Sequence, residues 1–323
     1  MRALVTGAAG FLGTALVRAL AARGDAVRAL VRRAPQGDAF PPGVEAVVGD
    51  ATDPAAVARA VRGQDLVFHL AGVRRATDRA EFLLVNAAST RIALEACLAE
   101  APGLHRFVLA GSATAAGPSA RPRRETEPLR PVEPYGESKA EAERIALSFA
   151  DRLPVAVARP PRIMGPGDRE NLFFFRIAKA GFAIRFGGPP RPLSWIDVDD
   201  CARGLLALAD RPEAAGEVFF LASAERTDAE GITREVARAL GVRARTVVLP
   251  AIAVRVAGEV LELATRLTGR RFPVNRKLVA QVLAPGWVVD PAKARERLGF
   301  EATTPLADSI ARATRWYRER GLL

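Results

Sequence analysis

The sequence opens with Met1-Arg2-Ala3-Leu4-Val5-Thr6-Gly7-Ala8-Ala9-Gly10-Phe11-Leu12-Gly13, and this stretch decides the fold. The apolar run from Ala3 to Val5 predicts a short buried strand, and from Phe11 onward apolar residues recur at helical spacing. Between them, Gly7 permits a tight turn, Gly10 a close approach of the backbone to a ligand, and Gly13 close packing of the helix on the strand. A helix N-terminus presents free N–H groups to an anion. Strand, glycine turn and helix together therefore predict a site for the pyrophosphate of a dinucleotide.

The 323 residues are 49% hydrophobic and 26% charged, a composition typical of a globular protein with a substantial core. No run of about 18 uncharged apolar residues occurs, and the N-terminus enters a strand without the features of a signal or transit peptide. Cys97 and Cys201 fall within helical patterns and are expected to be buried thiols in a reducing compartment. We therefore expect a cytoplasmic protein without a membrane partner.

The net charge of +11 raises the question of a nucleic-acid partner. The arginines are scattered over predicted helices, and aromatic residues do not alternate with them as they do on a base-stacking surface. The densest basic stretch, Arg121 to Arg124, falls in a Pro-rich segment that we expect to be a solvated loop. Two histidines and two isolated cysteines form no recognisable metal site. The sequence thus predicts neither a nucleic-acid partner nor a metal.

Short apolar runs alternate with helical patterns through the first half of the chain. Strands are predicted at 3–5, 27–31, 44–48, 66–70, 106–110 and 155–158, and helices at 54–61, 81–98 and 135–149, with a loop over 118–134. This alternation predicts an α/β protein with a Rossmann-type, doubly wound parallel sheet. After Pro161 the pattern changes, although 196–209 again has a helical pattern and 218–221 that of a strand. We therefore predict a dinucleotide-binding domain from residues 1–161 and 198–222, and a smaller C-terminal substrate lobe from 162–197 and 223–323.

The stretch Tyr135-Gly136-Glu137-Ser138-Lys139 carries the chemistry, together with Ser112 upstream. Residues four apart share one face of a helix, so the Tyr135 phenol and the Lys139 ammonium point the same way. A nearby positive charge favours the phenolate, which makes a phenol a usable acid–base catalyst at neutral pH. Ser112 follows a predicted strand and is placed to hydrogen-bond a substrate oxygen. Lysines occur at only four positions in this arginine-rich chain. A lysine at 139 therefore indicates that this position requires an amine, for which a guanidinium would not substitute freely.

At this point the sequence resembles an extended short-chain dehydrogenase/reductase over nearly its whole length. The matching segments are Thr6 to Gly13, Gly49-Asp50, His69 to Gly72, Val85-Asn86, Gly111 to Thr114, Tyr135 with Lys139, Arg159-Pro160 and Trp195 to Asp200. The resemblance implies a catalytic triad of Ser112, Tyr135 and Lys139, and it leaves His69 in the core and Asn86 in a structural role. It also implies a cofactor held by Thr6, Gly7, Gly10, Phe11, Leu12, Gly13, Asp50, Ala51, Leu70, Ala71, Gly72, Tyr135, Lys139 and Pro160.

The end of the second strand bears on the choice of cofactor. An acid there binds the ribose 2′-OH of NAD, whereas arginine suits the 2′-phosphate of NADP. The chain has Val31 where similar NAD enzymes carry the acid, followed by Arg32 and Arg33. We therefore predict NADP, with Arg32 or Arg33 on the phosphate, and keep NAD as an alternative.

Departures from the family pattern reduce the number of candidate reactions. Ala113 stands where sugar-nucleotide dehydratases carry an acid, and no Asn follows the sixth strand as it usually does in sugar-nucleotide epimerases. The segment Arg159 to Arg162 instead resembles the hydroxysteroid dehydrogenase and dihydroflavonol reductase branch. We therefore predict an oxidoreductase that interconverts a ketone and a secondary alcohol. A sugar-nucleotide epimerase stays open because Arg162 can reach a diphosphate, and a non-catalytic dinucleotide-sensing regulator is a third alternative.

The smaller lobe is rich in aromatic residues, which either bind an apolar small-molecule substrate or pack the lobe's own core. They are Phe173, Phe174, Phe175, Phe182, Phe186 and Trp195. The family resemblance also implies a homodimer formed through the helices at 81–98 and 135–149.

Overall fold

The structure, a computed structural model, describes residues 1–34, 39–268 and 276–323. The strands are β1 (Arg2–Thr6), β2 (Ala26–Val31), β3 (Glu45–Val48), β4 (Leu66–His69), β5 (Arg106–Ala110), β6 (Ser119–Arg123), β7 (Val155–Ala158), β8 (Arg162–Met164), β9 (Phe182–Phe186), β10 (Leu193–Asp197), β11 (Glu217–Phe219), β12 (Arg226–Thr227), β13 (Arg245–Leu249) and β14 (Trp287–Val289).

The helices are α1 (Phe11–Ala22), α2 (Pro54–Val61), α3 (Arg79–Phe82), α4 (Ser89–Glu100), α5 (Ala113–Ala116), α6 (Pro134–Leu147), α7 (Leu172–Lys179), α8 (Val198–Asp210), α9 (Ala229–Leu240), α10 (Ala251–Thr268), α11 (Arg276–Val282), α12 (Ala292–Leu298) and α13 (Leu306–Glu319). A π-helical turn, Leu83–Ala88, joins α3 to α4, and a 3₁₀ turn, Pro212–Ala214, follows α8.

The main sheet has seven parallel strands in the order β11-β7-β5-β4-β1-β2-β3. The strand order reverses beside β1, which gives the doubly wound, Rossmann-type α/β fold predicted from the sequence. In such a sheet the loops after the strands all lie at one edge, and the crevice at the reversal is where ligands bind. The loops after β1, β4, β5 and β7 therefore converge on one site.

Each face of this sheet carries its own apolar core. On one side α1 and α8 pack on the sheet through residues such as Leu16, Leu20 and Leu205, all fully buried. On the other side α2, α4 and α6 bury Val57, Leu94 and their neighbours against β4 and β5. Cys97 and Cys201 are buried, unpaired thiols, as the sequence predicts. Coverage of both faces explains why the strands are continuous apolar runs instead of alternating ones.

Residues 79–100 form one continuous helical segment through the π turn. Among the described residues it is the one helix long and apolar enough to span a membrane, and 44% of its most apolar window is buried inside the molecule. Ala93, Leu94 and Cys97 are completely buried in the core between the sheet and α6. This packing is that of a core helix.

The smaller lobe contains a second sheet with the order β12-β10-β14-β6, in which β8 also pairs with β10, and a separate two-stranded parallel pair, β9 and β13. Its core centres on Phe175, Trp195, Ile232 and Tyr317.

The structure differs from the sequence-based description at two elements. The segment expected to be a loop contains β6, an edge strand in which Pro122 costs no ladder hydrogen bond. Arg123 within it is buried and donates to the Pro128 carbonyl instead of being solvated. Residues 193–197 form strand β10, so the helix expected from Ile196 begins only at Val198. As a result, 119–123 pair with the smaller sheet although they precede the boundary predicted at 161.

Candidate active site

The glycine turn after β1 is packed so closely that it admits no side chains. Gly7 has a φ of +70°, and a Cβ there would lie 2.8 Å from the Ala71 nitrogen. A Cβ at Gly13 would lie 2.2 Å from the Gly7 carbonyl oxygen. Helix α1 starts after Gly10 with no side-chain cap and no acidic residue in its first turn. The turn therefore has the open, anion-accepting backbone that a pyrophosphate requires.

Thr6 and His69 fix the strands beneath this turn. The buried Thr6 hydroxyl accepts a hydrogen bond from the Ala71 amide at 3.1 Å and lies 3.0 Å from His69 Nδ1. The other ring nitrogen of His69 lies 3.2 Å from the Ser89 hydroxyl. Burial, followed by the charge of Lys139, lowers the pKa of His69 to about 3. His69 is therefore a neutral core residue that links strands and helix.

Lys139 lies in the centre of the site, inside the protein. It is 5% exposed, and its Nζ donates to the Ala110 carbonyl at the end of β5 at 2.8 Å. A Cβ at Gly72 would come within 3.3 Å of Nζ, so the loop after β4 leaves room for this ammonium. Burial lowers the pKa of Lys139 below its ordinary value, Tyr135 opposes that shift, and Arg74 adds to it.

Tyr135 and Ser112 are brought together by the close packing of α6 on α5. A Cβ at Gly136 would lie 2.8 Å from the Thr114 carbonyl, so only glycine permits this approach. Ser112 is the N-cap of α5, and its amide neighbour Ala113 donates to the Pro160 carbonyl after β7 at 2.9 Å. Ser112, Tyr135 and Lys139 all line one cavity at the carboxyl edge of the sheet.

Asn86 supports the same corner from the π-helical turn. Its side chain accepts from the Val73 amide at 2.7 Å, donates to the Val73 carbonyl, and donates to the Ser138 hydroxyl at 2.9 Å. Ser138 in turn donates to the Tyr135 carbonyl at 2.7 Å. Asn86 thus ties the loop after β4 to the first turn of α6, which is the structural role that the sequence suggested. A π turn at a functional site is a common arrangement.

The cavity has a volume of about 720 Å³. The residues predicted from the sequence that line it are Gly7, Gly10, Phe11, Leu12, Gly13, Leu70, Gly72, Ser112, Tyr135, Lys139 and Pro160. Thr6, Ala71, Asp50, Ala51, Arg32 and Arg33 do not line it. The cavity therefore joins the glycine turn to Ser112, Tyr135 and Lys139, and the remaining predicted residues lie beneath it or beyond it along the sheet edge.

Arg32 and Asp50 lie at this same edge, further along. They follow the adjacent parallel strands β2 and β3, and Arg32 is exposed. The Asp50 carboxylate accepts from the Thr52 amide at 2.8 Å and its hydroxyl at 2.7 Å. These bonds, with a smaller contribution from the charge of Arg32, lower the pKa of Asp50 although partial burial opposes them. The two side chains are thus electrostatic neighbours at the adenosine end expected for a dinucleotide.

Two guanidinium groups lie in the same cavity as Tyr135, and neither was among the cofactor-binding or catalytic residues predicted from the sequence. Arg74, in the loop after β4, lies with its Cζ 5.2 Å from the centre of the Tyr135 ring. Arg162 on β8 donates to the Asn171 side chain, and burial, with the repulsion of Arg74, lowers its pKa to about 10. Thr114 adds a third polar group, since its hydroxyl donates to Ser112 Oγ at 2.8 Å. The position of Arg74 beside Tyr135 is seen only in the folded structure, because Arg74 lies in the loop after β4 and Tyr135 on α6. Thr114 belongs to the segment Gly111 to Thr114 that the sequence had already matched to the family.

The other end of the cavity, in the smaller lobe, combines a cluster of apolar side chains with the charged side chains of Arg185, Arg191, Asp228 and Glu230. Its lining includes Phe173, Phe174, Ile184, Phe186, Leu193, Val282, Trp287 and Val289. The aromatic residues left undecided by the sequence therefore divide: Phe173, Phe174 and Phe186 face the cavity, whereas Phe175 and Trp195 are fully buried in the lobe's core. Phe182 is 46% exposed.

The fold and the site define a class of protein: a dinucleotide-binding α/β enzyme with a second lobe closing the carboxyl edge of its sheet. The sequence profile of the NAD dependent epimerase/dehydratase family matches residues 3–222, and the chain belongs to this family. The resemblance to extended short-chain dehydrogenases/reductases is thereby confirmed, and the protein is an NAD-dependent enzyme of the oxidoreductase and epimerase type.

Individual relatives extend the comparison. The chain is 32% identical to ceramide reductase of Caulobacter vibrioides, over 99% of this chain and 95% of the relative. It is 30% identical to 2-alkyl-3-oxoalkanoate reductase of Stenotrophomonas maltophilia, over 97% and 98% of the two chains. Among solved structures, MoeE5 in complex with UDP-glucuronic acid and NAD aligns with a TM-score of 0.78 and 26% identity, covering 99% of this chain and 100% of that one.

Proposed function

We propose that the protein is an NADP-dependent reductase of a ketone that carries a long apolar chain. The observation that carries this proposal is the polarity of one cavity, which joins Ser112, Tyr135 and Lys139 at one end to the aromatic lining of the smaller lobe at the other. A carbonyl fits the polar end and a hydrocarbon chain fits the apolar end.

The residues of the site would divide the work as follows. A bound nicotinamide supplies hydride chemistry at the carbonyl carbon. The Tyr135 phenol donates its proton to the carbonyl oxygen, and the Ser112 hydroxyl donates a hydrogen bond to the same oxygen. The buried Lys139 ammonium stabilises the phenolate that remains. Gly7, Gly10 and Gly13 would leave space for the pyrophosphate against the uncapped start of α1.

The substrate class rests on the apolar end and agrees with the relatives. Ceramide reductase and 2-alkyl-3-oxoalkanoate reductase both carry, in their names, a reaction on a molecule with hydrocarbon chains. The strand β9 extends the apolar wall, because Phe182, Ile184 and Phe186 point to one side while Ala183 is buried on the other. A chain longer than the cavity would continue along this wall.

The preference for NADP rests on the exposed Arg32 and Arg33 after β2, where no acid is present to bind a ribose hydroxyl. The similar structure of MoeE5 contains NAD, so a preference for NADP over NAD would distinguish this protein from MoeE5. We also propose a homodimer through the helices at 81–98 and 135–149, and a reducing, cytoplasmic location in which Cys97 and Cys201 stay unpaired.

The test is a ketone series of increasing chain length, assayed with NADPH and with NADH by the loss of reduced-nicotinamide absorbance. We expect reduction with NADPH, and a KM that falls by about four-fold for each added CH₂ while the chain still fills the cavity. A KM that does not change with chain length would contradict the substrate class. Epimerisation of a UDP-sugar without net cofactor change would establish the epimerase instead.

A further inference from the structure

Among the described residues, four of the exposed large apolar side chains form a stripe along α10. Ile252, Val256, Val260 and Leu263 recur every three or four residues and are 68%, 54%, 58% and 57% exposed. Residues at this spacing lie on one face of a helix. Ala253 and Ala257 are exposed beside them. We call these four large residues the α10 stripe.

The opposite side of α10 is packed, so the helix is held in place with the stripe outward. A Cβ at Gly258 would lie 2.6 Å from Val279 of α11, which shows how closely the two helices approach. Gly258 is two residues from both Val256 and Val260, and residues two apart on a helix do not share a face. The stripe is therefore an unpartnered face of a docked helix.

The helix that carries the stripe packs on an element that lines the cavity. Helix α11, on which α10 packs, contributes Gln281 and Val282 to the cavity lining. At the other end, the Gly187 amide donates to the Leu249 carbonyl at 2.8 Å, so the start of α10 abuts the Phe186–Gly187 turn. The end of β9, whose Ile184 and Phe186 line the cavity, therefore contacts the chain where α10 begins.

The stretch of sequence that contains α10 is mostly basic. Between residues 243 and 280 the sequence has eight basic residues against two acidic ones, Glu259 and Glu262. Of these basic residues, Arg255 lies on α10 itself and is exposed. The chain as a whole carries a net charge of +11. An apolar helix face within a basic stretch of a chain with positive net charge complements a surface with hydrocarbon beneath anionic groups.

We propose that the α10 stripe docks the protein on the surface of an anionic lipid bilayer, with the cavity mouth against the bilayer. A ketone with a long apolar chain dissolves in the bilayer, so this arrangement delivers it to the site without passage through water. The docking itself follows from the stripe and its charges; its link to catalysis rests on the proposed function. From the sequence alone no membrane partner was expected, because a peripheral helix leaves no long uncharged run.

The experiment is co-sedimentation of the full-length protein with vesicles of phosphatidylcholine, with and without phosphatidylglycerol. We expect binding to the anionic vesicles, weaker binding at high salt, and the least binding to phosphatidylcholine alone. Val256→Glu/Val260→Glu should lower the partition coefficient by about 100-fold, because two valine side chains no longer enter the hydrocarbon. Val132→Glu, at a site 54% exposed and outside the stripe, is the matched control and should bind as the wild type does.

Each of the following results would overturn the proposal: no vesicle binding by the wild-type protein, an equal loss in Val132→Glu, or a stripe variant that binds normally. A stripe variant that changes the mass in light scattering, with no wild-type vesicle binding, would make this face an interface between copies. Reduction of a short water-soluble ketone should be unchanged in the stripe variant, which also reports its folding. A wild-type protein that reduces no ketone would refute the proposed function while leaving the vesicle result readable.

Discussion

The ammonium of Lys139 is buried. Its Nζ donates a hydrogen bond at 2.8 Å to the backbone carbonyl of Ala110, which ends β5 just before Ser112. A buried cation of this kind is costly unless neighbouring groups compensate for the water it has lost. Tyr135 favours its charged form, and Arg74 disfavours it. The pKa of Lys139 is therefore a balance that a single substitution can move.

The first prediction concerns the alkaline limb of activity. The proposed mechanism needs protonated Lys139, whose pKa in the folded protein is below the ordinary 10.5, so kcat/KM should decline with rising pH before pH 10.5 is reached. Arg74→Ala removes a charge that lowers this pKa, and the limb should therefore move to higher pH. A pH–rate profile of both proteins is the measurement. An unmoved limb in Arg74→Ala would contradict the assignment.

The second prediction concerns Arg32 and Arg33. Replacing both by Ala should weaken NADP binding by about 10- to 100-fold, the value of one or two charge-assisted hydrogen bonds to a phosphate, with little change for NAD. Arg18→Ala, at an exposed position on α1, is the matched control. Titration calorimetry with both cofactors measures the two affinities. Equal losses for NAD and NADP would show that the arginines do not read the 2′-phosphate.

At the residue scale, the sequence predicts what depends on local spacing. Tyr135 and Lys139 are one helical turn apart, so their common face follows from the chain alone. Arg74 comes from the loop after β4 and Arg162 from β8 of the smaller lobe, and no spacing rule relates either of them to Tyr135. Gly72 was predicted from its motif as a cofactor-binding residue. That the absence of its side chain leaves room for the Lys139 ammonium is seen only in the folded structure.

At the scale of elements, α6 is held to the end of β7 by a buried ion pair. Arg159 forms a bidentate pair with Glu143, its Nε donating at 2.8 Å to one carboxylate oxygen and its Nη2 to the other, and the two side chains are 4% and 3% exposed. Arg159 also lies over the Phe220 ring, with its Cζ 5.3 Å from the ring centre. This pair fixes the helix that carries Tyr135 against the strand that precedes Pro160.

The third prediction follows from that pair. Glu143→Ala should lower the free energy of unfolding by about 3–5 kcal/mol, because it leaves the Arg159 charge buried and unpaired. Glu141→Ala, on the same helix, removes an exposed partner of Arg144 and should cost less than about 1 kcal/mol. Urea unfolding of the two variants makes the comparison. Similar small losses in both would refute a buried structural pair.

Element prediction from the sequence worked where a strand is buried on both sides, as for β1, β4, β5 and β7, since an uninterrupted apolar run has one simple interpretation. It missed β6 because its sequence, Ser119–Arg123, is polar and contains a proline. Such a strand exists only through pairing with β14, which lies far along the chain. The sequence-based prediction began α8 at Ile196 instead of Val198, because an apolar pair such as Trp195 and Ile196 fits a buried strand and a buried helix equally well.

At the scale of the whole molecule, the two lobes contribute different sets of side chains to one cavity. The sheet edge supplies backbone amides, hydroxyls and a buried ammonium, whereas the smaller lobe supplies Phe173, Phe174, Phe186 and Trp287. The fourth prediction is that Phe174→Ala raises the KM for a long-chain ketone by about 100-fold or more, with KM for a short ketone nearly unchanged. Steady-state kinetics with both ketones measures the effect, and equal losses for the two would place the chain elsewhere.

Transfer of a label from the cofactor to the product tests reduction by Ser112, Tyr135 and Lys139 most directly. With NADPH deuterated at the hydride-donating carbon, the wild-type protein should give an alcohol carrying deuterium on the carbinol carbon. In Tyr135→Phe, deuterated product should form about 100- to 10,000-fold more slowly while NADPH binds with unchanged affinity. Full activity in Tyr135→Phe, or turnover that leaves the deuterium on the cofactor, would contradict reduction by these three residues.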